Sequence, residues 1–255
     1  MLIGPQTKLR AGAFTGEQPS YPTTSAAFTN ATGITPSSLY TCLVASGALV
    51  DVIGGNNLGV ATSPKYRQAV AGSVGVSTDA TSNTGFQANV NDPGVASYII
   101  GAIGVFGTTF AATLPGIWGR NSGTGFPACT MYLAGYNLTY PAFLVRDAVS
   151  ALVLSDAAAN VTTPLRPVLY LGQIDRASNT ARFIAADSNK ILVNQSGSIA
   201  GFGTLSGGSI PLFSTGFGQG TAGGFKLSLG FTATGAQCEG ATVLTTLAKR
   251  LGFGE

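Results

Sequence analysis

The segment from Val168 to Gly216 constrains the fold of this 255-residue chain more than any other. It begins with VLYLGQ, in which side chains alternate between two faces with the period of a β-strand. The turn-rich run IDRASN follows, and the chain returns as a second apolar stretch from Thr180 to Ala185. After a polar break at residues 187–190, the run Ile191–Val193 predicts a third strand. We therefore expect an antiparallel hairpin, extended by one more strand, within the fold.

Short apolar stretches separated by turns recur through the rest of the chain. The candidate strands are residues 39–44, 48–51, 97–106, 116–120, 131–136, 142–146 and 151–154. Many short strands with turns every 8 to 12 residues or so are typical of a β-sandwich. Such sandwiches reach this length as a single unit, so we expect one main all-β domain.

The two ends of the chain differ from this middle part. Residues 1–37 contain four prolines and no sustained periodicity, which predicts an extended arm suited to docking on a neighbouring subunit. In residues 236–255, apolar side chains recur at helical spacing from Val243 to Leu251, and Gly252 supplies a C-terminal stop. The predicted organisation is an arm over 1–37, a sandwich over 38–235 and a helical segment over 236–255.

The order of these elements resembles the concanavalin A-like jelly-roll family, which includes laminin-G-like domains. The resemblance rests on the strand that ends in Asp175-Arg176, on the returning ARFI at residues 181–184, and on the opening DVIGGNN at residues 51–57. It covers about residues 40–232 and implies a jelly-roll sandwich of two antiparallel sheets. This fold is found in structural proteins of bacteriophage particles, in lectins and in glycoside hydrolases.

Composition limits the partners of the chain. Charged residues make up 9% of the sequence, against roughly 25% in an average globular chain. With 36 glycines and a net charge of +3, the chain has no basic stripe for phosphates, which argues against nucleic-acid binding. No apolar run approaches a membrane span or a signal peptide, so we expect synthesis in the host cytoplasm, no membrane insertion, and residence in a particle.

The catalytic inventory is poor because the chain has no histidine. This excludes Ser-His-Asp, Cys-His and His-metal arrangements. The E-x-D-x-x-E strand of glycoside hydrolases with the resembled fold is also missing, and the only glutamates are Glu17, Glu239 and Glu255. We therefore predict no enzymatic activity and no cofactor.

Paired aspartates are the remaining route to glycoside cleavage. The candidates are Asp147, Asp156, Asp175 and Asp187. Asp147 follows Arg146 and Asp175 precedes Arg176, so each is more simply a surface or turn charge with a cationic neighbour.

Metal binding is also disfavoured by the sequence. The three cysteines, Cys42, Cys129 and Cys238, are far apart, which predicts neither a disulfide framework nor a zinc site. Asp51, Asn56 and Asn57 offer oxygen ligands for calcium, but an Asx/Gly turn is the favoured interpretation because calcium cages usually contain more carboxylates. We predict no metal.

Aromatic residues suggest one sugar-binding surface. Trp118, Tyr132 and Tyr136 lie near Asn121 in sequence, and sugar sites combine an aromatic ring with amide groups. The competing interpretation, which the sequence favours, places Trp118 in the core.

The main functional expectation is a non-enzymatic virion protein that decorates a bacteriophage capsid or forms part of a tail. Its partners would be capsid or tail proteins, contacted through the arm residues Leu2, Ile3, Phe14 and Tyr21, and a homo-oligomer is left open. The alternative is a lectin-like module, free or on a virion, that binds surface glycans. A glycoside hydrolase or lyase is a third and weaker alternative.

Overall fold

A computed structural model defines the fold. The structure describes residues 22–45, 48–53, 57–60, 65–70, 73–77, 86–88, 96–106, 116–119, 129–133, 141–147, 149–159, 166–205, 210–212 and 225–255. These ranges contain sixteen β-strands, two α-helices and one 3-10 turn.

The first eight strands are β1 Ser38–Ala45, β2 Ala48–Asp51, β3 Leu58–Val60, β4 Lys65–Val70, β5 Ser73–Ser77, β6 Phe86–Ala88, β7 Tyr98–Phe106 and β8 Gly116–Gly119. The remaining strands are β9 Cys129–Leu133, β10 Pro141–Arg146, β11 Ala151–Ser155, β12 Pro167–Asp175, β13 Thr180–Ala186, β14 Ile191–Ser198, β15 Ile210–Leu212 and β16 Phe225–Thr234. The helices are α1 Ser25–Thr32 and α2 Val243–Arg250, and the 3-10 turn is Ala236–Cys238.

The strands form one antiparallel path that folds back on itself. Its order is β11-β10-β9-β8-β15-β6-β3-β2-β1-β16-β7-β12-β13-β14, while β5 pairs with both β16 and β4. The two ends of the path lie face to face, since the rings of Phe143 on β10 and Phe183 on β13 stack with centroids 6.0 Å apart. Gly197 on β14 likewise lies against Leu152 on β11. The result is the all-β sandwich that the sequence predicts.

Helices cover the opposite face of the central strands. On β12, Leu169 and Leu171 belong to a buried cluster with Leu244 and Leu247 of α2. The ring of Phe28 on α1 contacts that of Phe231 on β16, with centroids 4.7 Å apart. The central strands are therefore packed between β10–β11 on one side and the two helices on the other.

Helix α1 lies within the stretch expected to be an extended arm. The Thr24 hydroxyl accepts a hydrogen bond from the amide of Ala27 at its start, and Gly33 ends it with a left-handed φ of 75°. Arg250 donates to the Thr32 carbonyl at 2.6 Å and ties α1 to α2. The arm prediction did not include this helix, and residues 1–21 lie outside the described residues.

The C-terminal helix is confirmed. Past Arg250 the chain turns at Gly252, whose φ is 85°. The amide of Phe253 donates to Ala248 and that of Gly252 to Lys249, which together make a Schellman cap. Gly254 then donates to the carbonyl of Asp187, so the terminal residues are fixed beside the β13–β14 connection.

Other predictions for the fold had mixed outcomes. The strands β12, β13 and β14 appear where the alternation predicted them, whereas β16 was not identified although it joins β1 to β7. The short strands β3 to β6 and β15 were missed too. None of the helices in the described ranges has the length and apolar character needed to span a membrane.

Candidate functional site

The helix-facing side of β12 changes from apolar to polar near its end. Leu169 and Leu171 are followed on this side by Gln173 and Asp175, which are 0% and 1% exposed. Arg182 on β13 lies directly opposite Gln173 and therefore shares this face. We call Gln173, Asp175, Arg182 and Gly240 the hairpin polar cluster, because it sits at the end of the β12–β13 hairpin.

Asp175 is the centre of this cluster. Its Oδ2 accepts hydrogen bonds from Arg182 Nη1 and from the Gly240 amide, each at 3.0 Å. Its Oδ1 accepts from the amide of Ser178 in the turn at 3.1 Å. Burial opposes ionisation, but the hydrogen bonds from Gly240, Ser178 and Arg182 outweigh it and lower the pKa of Asp175 to about 2. The carboxylate is therefore charged at neutral pH.

Gln173 fixes the chain that leads into α2. Its Nε2 donates to the carbonyls of Cys238 at 2.6 Å and Gly240 at 3.1 Å, and its Oε1 accepts from Arg182 at 3.4 Å. Burial raises the pKa of the Cys238 thiol to about 12, so this cysteine is not a nucleophile at neutral pH.

A second polar cluster lies beyond the hairpin turn. Arg176 Nη2 donates to the Gly203 carbonyl at 2.6 Å, and the Gly203 amide donates to Asp147 Oδ2 at 2.7 Å. Asp147 also accepts from the amide of Val149 at 2.8 Å. Burial opposes ionisation of Asp147, but backbone hydrogen bonds from Ser150, Gly203 and Val149 lower its pKa.

The sequence interprets Asp147 and Asp175 as surface or turn charges, and both accept backbone hydrogen bonds in turns or loops. Asp175 is buried and pairs with Arg182 instead of its neighbour Arg176. The charge of Asp147 acts on Arg176, which lies in the hairpin turn. The reason is geometric, because side chains adjacent in an extended chain point in opposite directions.

The other two candidate aspartates also serve turns. Asp187 Oδ1 accepts from the amides of Asn189 and Lys190, and its Oδ2 lies 2.8 Å from Arg166 Nη1. Asp156 Oδ1 accepts from the amide of Ala158 at 2.9 Å. All four aspartates considered for acid/base chemistry thus hold local backbone structure.

An exposed polar surface adjoins the hairpin polar cluster. Strand β14 ends the strand path, and its register places Ser198 opposite Thr180, Ser196 opposite Arg182, and Asn194 opposite Ile184. Cross-strand partners share a face of the sheet. We call Thr180, Arg182, Asn194, Ser196 and Ser198 the β13–β14 polar strip; the three β14 members are exposed.

Arg182 connects this strip to the buried cluster. Its side chain is 17% exposed, and among the described residues its hydrogen bonds to Gln173 and Asp175 both leave from Nη1. This leaves Nε and Nη2 for a ligand. The buried side chains of Gln173 and Asp175 thus hold the guanidinium in place, which reduces the entropy cost of binding a ligand.

The aromatic candidates lie on neighbouring strands. Trp118 of β8 is in register with Met131 of β9, and Tyr132 of β9 is in register with Ala142 of β10. Asn121 and Tyr136 lie outside the described residues, as do the arm residues Leu2, Ile3, Phe14 and Tyr21. Both sets of assignments stay predictions.

The opening turn was interpreted as an Asx turn. Asp51 Oδ1 accepts from the amides of Leu39 at 2.9 Å and Ile53 at 3.1 Å, and Asn57 Oδ1 accepts from the Asp51 amide at 3.0 Å. Asn56 lies outside the described residues. In the described part of the chain, no three His, Cys, Asp or Glu residues cluster as a metal site would require.

Sequence comparisons identify no relatives. No family model matches the chain, and no curated protein matches it. Similar proteins emerge only when folds are compared.

Among solved structures, Trypanosoma rangeli sialidase with bound 2,3-difluoro-KDN is similar with a TM-score of 0.56 and 8% identity, over 84% of this chain and 32% of the sialidase. A crystal structure described as HCR/D-Sa-GBL1/C has a TM-score of 0.52 and 9% identity, over 80% of this chain and 49% of that one. The CBM40 of Ruminococcus gnavus IT-sialidase, bound to α2,6-sialyllactose, has 11% identity over 61% of this chain and 82% of its own. Its TM-score of 0.44 is too low to support an inference.

The fold is an antiparallel β-sandwich that is similar to parts of these two larger structures. This agrees with the resemblance to concanavalin A-like jelly rolls, and identities this low show the fold alone. The chain spans about a third of the sialidase with which it shares this fold. The connection to bacteriophage proteins remains a prediction from the sequence.

Proposed function

We propose that this chain is a non-catalytic, lectin-like carbohydrate-binding module whose ligand is a glycan with an acidic sugar. The fold supports a lectin-like module, and one of the T. rangeli sialidase structures with the same fold holds sialic acid. Because a fold hosts many functions, the proposal depends on a site in this chain.

The observation that carries the proposal is the position of Arg182 beside the exposed groups of the β13–β14 polar strip. Its guanidinium is fixed by Asp175 and Gln173, and it lies opposite Ser196. Hydroxyl and amide groups such as those of Ser196 and Asn194 suit sugar hydroxyls. An arginine with two remaining nitrogens suits a carboxylate, which it binds through parallel hydrogen bonds.

Two observations support the non-catalytic part of the proposal. The chain has no histidine, and it has only three glutamates. Asp147, Asp156, Asp175 and Asp187 each accept backbone hydrogen bonds that hold turns or loops. A carboxylate that serves as acid or base must instead exchange a proton near the working pH.

A virion role is compatible with this function. It remains a prediction based on the charge-poor composition and the family resemblance, as does the particle location. Counting copies of the chain per shell protein in purified particles would test it.

The proposal that the glycan binds at the β13–β14 polar strip is tested by introducing a bulky side chain at an exposed position of the strip. Ser196→Tyr places a ring on the strip, while Gln195→Tyr places the same ring on the opposite face of β14, because Gln195 pairs with the inward-facing Phe183. Wild type and both variants are applied to an array of sialylated, uronic-acid-containing and neutral glycans, and each hit is titrated.

We expect binding to acidic glycans that Ser196→Tyr weakens at least tenfold, a loss of about 1.4 kcal/mol, while Gln195→Tyr keeps wild-type affinity. Binding that survives Ser196→Tyr but is lost in a folded Trp118→Ala variant would move the site to the β8–β9 aromatic residues. Absence of any glycan binding would overturn the proposal.

A further inference from the structure

The contacts of α2 determine which of its flanks faces β14. Leu244 and Leu247 direct the buried side of α2 onto β12 and β13. Arg250 lies on the flank next to α1, since it donates to the Thr32 carbonyl, and α1 packs on β16 through Phe28. The strand order places β16 and β14 on opposite sides of β12 and β13. The flank of α2 opposite Arg250 therefore faces β14.

That flank of α2 carries Thr245 and Lys249. At roughly 100° per residue, Arg250 lies about 110° to one side of the buried face and Thr245 about 110° to the other. Lys249 follows Thr245 by four positions, so the two side chains lie one above the other. Thr245 is half-buried and Lys249 is exposed. In the described part of the chain, the ammonium group of Lys249 has no ion-pair partner.

The helix and the uncovered part of the sheet form a shallow groove. Helix α2 covers Ile184 and Ala186 of β13, which are 2% and 0% exposed, whereas the β14 members of the polar strip stay exposed. Within the described residues, the helix thus stands as a wall beside an open strand. We call this surface the α2–β14 groove, and its lining residues are Arg182, Asn194, Ser196, Ser198, Thr245 and Lys249.

The groove has a cation near each end. Arg182 lies where the helical segment begins, because it shares the Asp175 carboxylate with the amide of Gly240. Lys249 lies seven residues beyond Thr242, the first capping residue of α2, which corresponds to roughly 10 Å along the helix axis. Hydroxyl and amide groups lie between the two positive charges.

We propose that the α2–β14 groove binds a chain of several acidic sugars, with one acidic group on Arg182 and a second one on Lys249. A single acidic sugar carries one carboxylate and can engage only one of the two cations. Hydroxyl and amide groups suit the sugar hydroxyls between the charges, and none of the lining residues is apolar, as peptide side chains would require. This inference rests on the proposed glycan function, and it makes Lys249 a residue that determines ligand length.

A length series of ligands tests the groove. The affinities of the full chain and its variants are measured by calorimetry at low salt for oligosaccharides that contain one to four identical acidic sugars. One series consists of uronic acids and another of sialic acids, and a tetraglutamate peptide serves as a non-sugar polyanion. The variants are Lys249→Gln and Arg146→Gln. Arg146 ends β10, in the layer on the other side of the sandwich from α2, so its replacement changes the net charge equally.

The wild type should bind the four-sugar chain about tenfold more tightly than the single sugar. This exceeds the gain of about fourfold that four equivalent positions on one chain would give. Lys249→Gln should weaken binding of the four-sugar chain about two- to fivefold, the range of an exposed ion pair, and leave the single sugar unaffected. Arg146→Gln should leave both affinities unchanged. Because Lys249 is exposed, its variant should keep the wild-type melting temperature.

The outcomes separate this inference from the proposed function. If Lys249→Gln binds the four-sugar chain as the wild type does while Ser196→Tyr still blocks binding, the groove is overturned and the strip remains. An equal loss in Lys249→Gln and Arg146→Gln would mean that net charge alone is responsible, which also overturns the groove. Tetraglutamate binding as tight as that of the four-sugar chain would overturn the assignment to a sugar. Absence of binding to any acidic glycan would overturn both proposals.

Discussion

Replacing Asp175 with asparagine removes the charge that organises the hairpin polar cluster. Asp175 Oδ2 accepts hydrogen bonds from Arg182 and from the Gly240 amide. If the asparagine Nδ2 took the place of this oxygen, a hydrogen-bond donor would face two other donors. In the other amide orientation, the nitrogen would face the Ser178 amide instead. Asparagine cannot satisfy all three contacts, and Arg182 loses its counter-charge in a site that is 17% exposed.

The pKa of Asp175 gives the magnitude of this effect. It falls from 3.8 to about 2 on folding, because the hydrogen bonds outweigh burial. Each unit corresponds to about 1.4 kcal/mol, so the charged carboxylate stabilises the fold by roughly 2 kcal/mol. A pKa lowered on folding means that this stabilisation is present above about pH 4 and is lost as the pH falls towards 2. The unpaired Arg182 adds to the cost, and we expect Asp175→Asn to lower the free energy of unfolding at pH 7 by about 2 to 4 kcal/mol.

Urea unfolding at several pH values measures both effects. Between pH 5 and pH 2, the free energy of unfolding of the wild type should fall by roughly 2 kcal/mol more than that of Asp175→Asn. Asp156→Asn is the matched control, because its carboxylate bonds an exposed turn amide, and it should follow the wild type throughout. A loss below about 0.5 kcal/mol at pH 7, or an acid dependence in Asp175→Asn as steep as in the wild type, would refute this account of the cluster.

Two further predictions concern packing. Phe28→Ala should cost about 3 to 5 kcal/mol in urea unfolding, because Phe28 is fully buried; a loss below about 1 kcal/mol would contradict this. Gly172→Ala should lower the free energy of unfolding in urea by about 1 to 3 kcal/mol, because an added Cβ would lie 2.6 Å from the Phe143 ring on β10. Gly201→Ala is the control and should be neutral, since an added Cβ there has no atom within 4 Å. Equal costs for the two variants would exclude close packing as the cause.

The strands around the β12–β13 hairpin could be predicted because their signals are local. Alternation in β12 and a turn at residues 176–179 are visible in the sequence, and the structure places both there. The end of α2 is equally local, since the Schellman cap needs a left-handed residue and Gly252 adopts that conformation. Such features depend on a few neighbouring residues and not on distant parts of the chain.

Helix α1 escaped prediction because it is stabilised from a distance. It is eight residues long, has no acidic residue in its first turn, and is marginal by itself. Its stability comes from Phe28 packing on β16 and from the bond between Arg250 and Thr32. The available signal was the pair of caps, Thr24 before the helix and Gly33 after it.

The hairpin polar cluster shows which part of a site a sequence can specify. Once β12 and β13 are paired with Asp175 opposite Thr180, Arg182 must lie diagonally across from Asp175 on the same face. That pairing follows from turn length and alternation, so the hairpin register itself brings the counter-charge to Asp175. The bond from Gly240 is different, because it joins positions 65 residues apart and depends on where β16 and α2 pack. The hairpin register places Arg182 beside Asp175, whereas the burial that strengthens this ion pair comes from the tertiary fold.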